Sequence, residues 1–195
     1  MSRVLLTAFE PYDRWSENSS WLALMDLTNW YEGATEIVTR RYPVDLSRMS
    51  DALRKDLQSD FDFAIHVGQS PGSPIIKVEA VGLNVRSDGS PLINGAPDAY
   101  RSPLPLAAQV STLVNAGIPC ELSHHAGTYL CNAALYLSQH YAKSFGMKTR
   151  AAFVHLPLAP SQSAKAIESR LPSMSTAMSS AAIALLVDEL TNSVA

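Results

Sequence analysis

Cysteine is scarce: Cys120 and Cys131 are the only two in 195 residues. Neither stands in a paired CxxC pattern, which argues against a structural zinc site. One disulfide is formally possible, but two free thiols fit a reducing compartment better. Charge is also sparse, with 17% charged residues, a net charge of −3 and no dense Lys/Arg run. Nucleic acid and anionic membranes are therefore poor partners. No stretch reaches the ~18 apolar residues that a membrane span needs. The apolar run near the start stops at Phe9-Glu10-Pro11, too short for a secretion signal, so a cytoplasmic location is expected. No repeat, low-complexity tract or linker divides the chain, and residues 1–195 are expected to form one domain.

Hydrophobic residues, by contrast, are plentiful at 47%, and they come in short runs alternating with longer amphipathic stretches. Strands are expected at Val4–Thr7, Glu36–Tyr42, Phe63–Val67, Cys120–Ser123 and Ala151–His155, with an extended stretch over Ile75–Val85. Helices are expected at Ser20–Asn29, Leu46–Leu57, Leu106–Asn115, Thr128–Phe145 and Met174–Thr191. Ser87–Pro105, rich in Ser, Pro, Gly and Asn, reads as a long loop. The alternation predicts an α/β fold: a three-layer α/β/α domain whose open, mostly parallel twisted sheet is flanked by helices. Ligands of such sheets sit beyond the carboxyl ends of the strands. Four segments qualify for that rim: Phe9–Asn18, Gly68–Gly72, Ala126–Cys131 and His155.

Cys131 falls in the first turn of the helix that follows Gly127, where unpaired N–H groups and the positive end of the macrodipole favour an anion. Such a position beside a histidine can bring a cysteine pKa from ~8.5 to roughly 3.5–7.5, and the same N–H groups suit an oxyanion. The alternative is a small buried hydrophobe. Cys120, with no helix terminus near it, reads as core. His155 ends an apolar strand and can reach the rim as a general base, against the alternative of a capping or structural histidine. Glu79 shares a period-two face with Ile75, Val81, Leu83 and Val85, where a carboxylate needs a partner; on an edge strand it would simply face water with Lys77. Gly68-Gln69-Ser70-Pro71-Gly72 matches the G-x-S-x-G nucleophile elbow, but Pro71 lacks the N–H that the elbow's oxyanion hole requires. His124-His125 point to opposite faces with no carboxylate at ligand spacing, so no metal is expected. His66 and His140 read as structural.

Taken together, these residues resemble the pyroglutamyl peptidase I family of cysteine peptidases. The likeness runs through Leu6-Thr7-Ala8-Phe9-Glu10-Pro11-Tyr12 with Asn18 and Trp21, His66-Val67-Gly68-Gln69, Glu79 with Asn84, and Gly95-Ala96-Pro97-Asp98-Ala99-Tyr100. It continues in Ala126-Gly127-Thr128-Tyr129-Leu130-Cys131-Asn132 and Phe153-Val154-His155-Leu156-Pro157 with Pro160 and Gln162. The resemblance implies a cofactor-free hydrolase that removes an N-terminal pyroglutamyl residue from peptides. Cys131 would be its nucleophile, His155 its general base and then acid, and Glu79 the carboxylate that orients the histidine. It implies a substrate pocket in which Phe9 and Tyr12 sandwich the flat lactam, with Asn18 and Gln69 at its polar edge. It also implies a homo-oligomer, often a tetramer. A catalytically impaired binder of N-blocked peptides and a related thiol amidase acting on another acyl group are the rival readings. Ala8 stands where the family usually has glycine, and Tyr12-Asp13-Arg14 where it has Phe-Gly-Gly. Ala80 replaces an arginine, leaving Arg86 as a candidate for that role.

Overall fold

The computed structural model describes residues 2–166, 168 and 170–192. Six strands form one sheet in the order β2-β1-β3-β8-β4-β7: β1 (Arg3–Phe9), β2 (Glu36–Tyr42), β3 (Phe63–Gln69), β4 (Ile76–Glu79), β7 (Cys120–Ser123) and β8 (Arg150–Leu156). Every pairing is parallel except that of β4 with β8. Alternation of side chains sorts the core into two layers. Val4, Leu6, Phe63, Ile65, Val67, Val154 and Leu156 pack with helices α1 (Ser19–Trp30), α3 (Leu106–Asn115) and α6 (Thr176–Asn192). Leu5, Phe9, Ala64 and Phe153 point the other way, against α2 (Leu46–Leu57) and α4 (Leu130–Ser144). The expected α/β sheet flanked by helices is present, and the parallel strands, buried on both faces, are the near-continuous apolar runs of the sequence.

The extended stretch Ile75–Val85 is not one strand. β4 ends at Glu79, and beyond Ala80 the chain leaves the sheet to form β5 (Val81–Leu83), which pairs with β6 (Ala99–Arg101) in a separate antiparallel ribbon. The segment read as a loop over Ser87–Pro105 therefore contains a strand, hidden because three residues at the surface carry no apolar alternation. The switch at Ala80 is held by two main-chain bonds, Ala80 N–H to the Ser123 carbonyl (2.7 Å) and Ser102 N–H to the Ala80 carbonyl (2.8 Å). A short helix, α5 (Pro160–Lys165), follows β8 with proline at its start; its six residues are too few for a periodic signal.

The ribbon is bound to α4 by a side chain that imitates a strand. Asn132 Oδ1 accepts the Leu83 N–H, and its Nδ2 donates to the carbonyls of Leu83 and Val85, at 2.8, 2.8 and 3.1 Å. Gly82 permits the approach: a Cβ there would lie 2.6 Å from the Tyr136 backbone nitrogen. Helix backbone cannot move aside as a side chain can. Gly82→Ala is thus expected to destabilise the fold by about 1–3 kcal/mol, an overpacking cost that a lowered urea midpoint would report.

Candidate active site

β8 has a parallel neighbour on one side and an antiparallel one on the other, which sets the geometry of the site. Across β4 and β8, Lys77 is opposite His155 and Glu79 is opposite Phe153, so Glu79 and His155 are diagonal neighbours on one face. Diagonal positions lie within reach of long side chains. Here His155 Nδ1 meets Glu79 Oε1 at 2.8 Å, with side chains 12% and 1% exposed. β4 lies between β8 and β7, so Glu79 is inside the sheet and buried, whereas Lys77 reaches Glu121 at the surface. The bond to Glu79 uses Nδ1 and leaves Nε2 for another partner.

That partner comes from α4. Tyr129 is its N-cap and makes no side-chain cap bond, so the helix starts at Leu130, two residues later than the Thr128 expected, and Cys131 is its second residue. The first main-chain bond into the helix is Ala133 N–H to the Tyr129 carbonyl (3.0 Å), which places the N–H groups of Leu130, Cys131 and Asn132 ahead of the intrahelical ladder. Gly127, at φ +81°, turns the chain into this helix. Cys131 stands close enough to His155 for its charge to act on the imidazole. Burial opposes a charged imidazole, yet the neighbouring Cys131, reinforced by the bond to Glu79, outweighs it and raises the His155 pKa from 6.5 to about 9. Burial likewise opposes the Glu79 carboxylate, but the bond to His155, with Ser123 and the charges of His155 and Lys77 nearby, holds its pKa below the ordinary value. Cys120 has no such surroundings: burial, with Glu121 nearby, pushes its thiol up to about 11.

Gly68 makes room for the sulfur. It is opposite His155 in the parallel β3–β8 pairing, and a Cβ there would lie 2.6 Å from the Phe153 ring and 3.0 Å from Cys131 Sγ. The sequence shows this glycine only as part of an elbow-like motif; its function as a hollow inside a strand depends on the register. His66, in the next row of the same face, is fully buried between the Thr7 hydroxyl (2.8 Å) and the Ser138 hydroxyl (2.7 Å), and burial lowers its pKa to about 3.

Beside Cys131 is a cavity of about 190 Å³. Phe9, Tyr12, Asn18 and Gln69 all line it, joined by Val44, Leu130 and Tyr129, whose ring is 55% exposed at the mouth. Burial, then the charge of Cys131, raises the Tyr12 phenol pKa. The amides are committed largely within the protein. Asn18 Oδ1 caps α1 through Ser20 N–H (3.1 Å) while its Nδ2 donates to the Glu10 carbonyl (3.1 Å). Gln69 Oε1 accepts from Ser19 N–H (2.8 Å), and the Gln69 carbonyl accepts from the Tyr12 hydroxyl (3.4 Å). Asp13, where the resemblance leads one to expect glycine, takes φ +53°, the left-handed region that costs a residue with a side chain on the order of 1 kcal/mol. Arg86 is elsewhere: with Asp51, Leu92 and Ile93 it lines a different cavity of about 460 Å³.

A family model described as pyroglutamyl peptidase matches residues 2–192. The chain belongs to the pyroglutamyl peptidase family. It is 38% identical to a pyrrolidone-carboxylate peptidase of Clavibacter michiganensis over 80% of this chain and 79% of that one. A protein of the same description from Thermococcus onnurineus is 37% identical over 88% and 90%. A mutant pyrrolidone carboxyl peptidase from Pyrococcus furiosus superposes with a TM-score of 0.92 at 31% identity, covering 99% of this chain and all (100%) of that one. The pyrrolidone carboxyl peptidase of Fervidobacterium islandicum gives 0.91 at 30% identity, covering 98% and 99%. Likeness to this family therefore extends over both sequence and fold.

Two measurements check the site geometry. Gly68→Ala is expected to displace Cys131 Sγ or the Phe153 ring and to slow alkylation of Cys131 by iodoacetamide; an unchanged rate in a folded variant would show that the hollow is not needed. Because the folded His155 pKa lies above its ordinary value, its stabilisation is fully present below pH 6.5 and is lost as pH rises through about 9. Wild type should therefore exceed His155→Asn in urea midpoint by a margin that shrinks over that interval, and a constant margin would contradict the shift.

Proposed function

We propose that this chain hydrolyses the amide bond after an N-terminal pyroglutamyl residue of peptides, using Cys131, His155 and Glu79. The observation that supports it most is the buried Glu79–His155 bond, with the Cys131 side chain interacting with the same imidazole. His155, beside the thiol and with a raised pKa, takes the proton that leaves sulfur as the nucleophile forms. The thiolate attacks the pyroglutamyl carbonyl carbon, and the oxyanion that forms is stabilised by N–H groups at the start of α4. His155 then passes its proton to the departing amine nitrogen, leaving a thioester on Cys131. Water, deprotonated by His155, attacks that thioester, releases pyroglutamate and restores the thiol. Glu79 keeps the imidazole oriented and stabilises its charged form throughout.

Phe9 and Tyr12 would hold the faces of the lactam, and the main chain around Asn18 and Gln69 would bound its edge. An uncharged, flat ring suits a cavity of this size with so few charged groups near it. A free N-terminal ammonium would be desolvated there without a counter-charge. The free thiols of Cys120 and Cys131 suit a reducing cytoplasm, and no helix among the described residues is long and apolar enough to cross a membrane. The family resemblance extends the reading to a homo-oligomer.

Release of a fluorescent amine from an L-pyroglutamyl amide is the direct test. Wild type should turn over, Cys131→Ala should not, and Glu79→Gln should lose activity by orders of magnitude, as in other triads whose orienting carboxylate is neutralised. Binding of the amide without turnover by the folded wild type would sink the proposal. Equal turnover of acetyl or prolyl amides would replace the pyroglutamyl substrate with a broader acyl class.

A further inference from the structure

Gln162 stands in the first turn of α5, outside the cavity beside Cys131, and it faces a neighbouring pocket with Arg14, Trp15 and Lys165. Its side chain is buried and fully bonded. Ala159 N–H donates to Gln162 Oε1 (2.9 Å), and Gln162 Nε2 donates both to the Glu17 carbonyl (3.0 Å) and to Gln69 Oε1 (2.7 Å). Gln69 Oε1 also accepts Ser19 N–H. A backbone N–H can only donate, so Ala159 and Ser19 determine which way each amide is turned. The amide-to-amide bond that remains then has one possible direction, from Gln162 to Gln69.

These bonds join two walls of the cavity. Glu17 and Ser19 flank Asn18, which belongs to the wall leading into α1, whereas Gln69 ends β3 and carries the carbonyl that holds Tyr12. Gln69 Nε2 is buried and has no partner of its own, so the orientation of that amide depends on the two bonds to Oε1. Side-chain alternation puts Gln69 on the α1 face of the sheet, opposite the face that carries Phe153 and His155. The clamp is therefore structurally separate from the groups that handle protons.

We propose that Gln162 is a positioning residue for substrate: by donating to Glu17 and Gln69 together it sets the spacing between the two walls that grip the pyroglutamyl ring. This rests on the peptidase reading above. Removing the shared donor leaves two buried acceptors short of a bond, with Ser19 N–H alone left to hold the Gln69 amide. The walls relax while Cys131, His155 and Glu79, on the other face, keep their geometry.

The test is steady-state kinetics on an L-pyroglutamyl amide with wild type and Gln162→Glu, which keeps the shape and the acceptor for Ala159 N–H but donates to neither wall when ionised and to only one when protonated. KM is expected to rise about tenfold, the size of one buried hydrogen bond, with kcat and the alkylation rate of Cys131 little changed. Gln162→Met carries the same test if the glutamate variant does not fold. In the double variant with Gln69→Ala, the KM effects should overlap rather than multiply, since Gln162 acts through Gln69. An unchanged KM, multiplying effects, or a loss confined to kcat and matched by slower alkylation would overturn the proposal. Absence of turnover by wild type would instead remove the peptidase reading itself.

Discussion

The antiparallel pairing of β4 against β8 is the constraint on which the site depends. In a parallel pair, an equivalent carboxylate would follow a different register and would arrive at the rim with its own strand end. Running β4 the opposite way lets a residue from its last position meet a residue near the carboxyl end of β8 on the diagonal. A carboxylate there would be costly to bury alone, and the imidazole offsets that cost only because both side chains share a face. Glu79 thus has one low-energy use, and His155 is left with a single orientation.

Much of this was legible in the sequence, for identifiable reasons. The apolar runs of β1, β3 and β8 marked buried strands, and Gly127 followed by Cys131 marked a helix start, because period and punctuation are local properties. Cys131, His155 and Glu79 could each be nominated with a physical reason, though Glu79 hung between a buried face and an edge strand. Strand order decides that question, and strand order is not a local property. The ribbon of β5 and β6 was missed because its strands have three residues each. Gly68 was noticed as part of a motif, but the motif could not show that its lack of a side chain matters to a sulfur that arrives from a helix more than sixty residues later in the chain. Gln162 carried a family likeness but no role, since its partners at 17 and 69 are distant in sequence and polar residues on a short helix give no periodic signal.

The two faces of the sheet divide the work. On the α2 and α4 side are the thiol, the imidazole, the carboxylate and the glycine hollow; on the α1 side, with α5 beside it, is a buried network of amides that binds loop to strand. Asn18 illustrates the overlap, because a residue expected at the edge of the pocket also caps α1. Polar side chains at this rim first satisfy buried main-chain groups, as groups withdrawn from water must. What is left to meet a ligand is mainly aromatic surface and main chain.

Asn132 has a consequence for how such a chain can vary over evolutionary time. It follows Cys131 directly and is bonded to Leu83 and Val85, so the ribbon is fastened next to the thiol at one end. Between β5 and β6 the chain is pinned at the buried Leu92, at Ile93 and Ala96, which bond to Asn84, and at Pro97, whose carbonyl accepts from the Tyr136 hydroxyl; only the turn at 86–89 runs free over the surface, and its length adds little to the entropy of closing the loop. Insertions and deletions there can accumulate without disturbing the seat of the sulfur. That turn is therefore free to vary in length, while the anchored residues on either side of it are not.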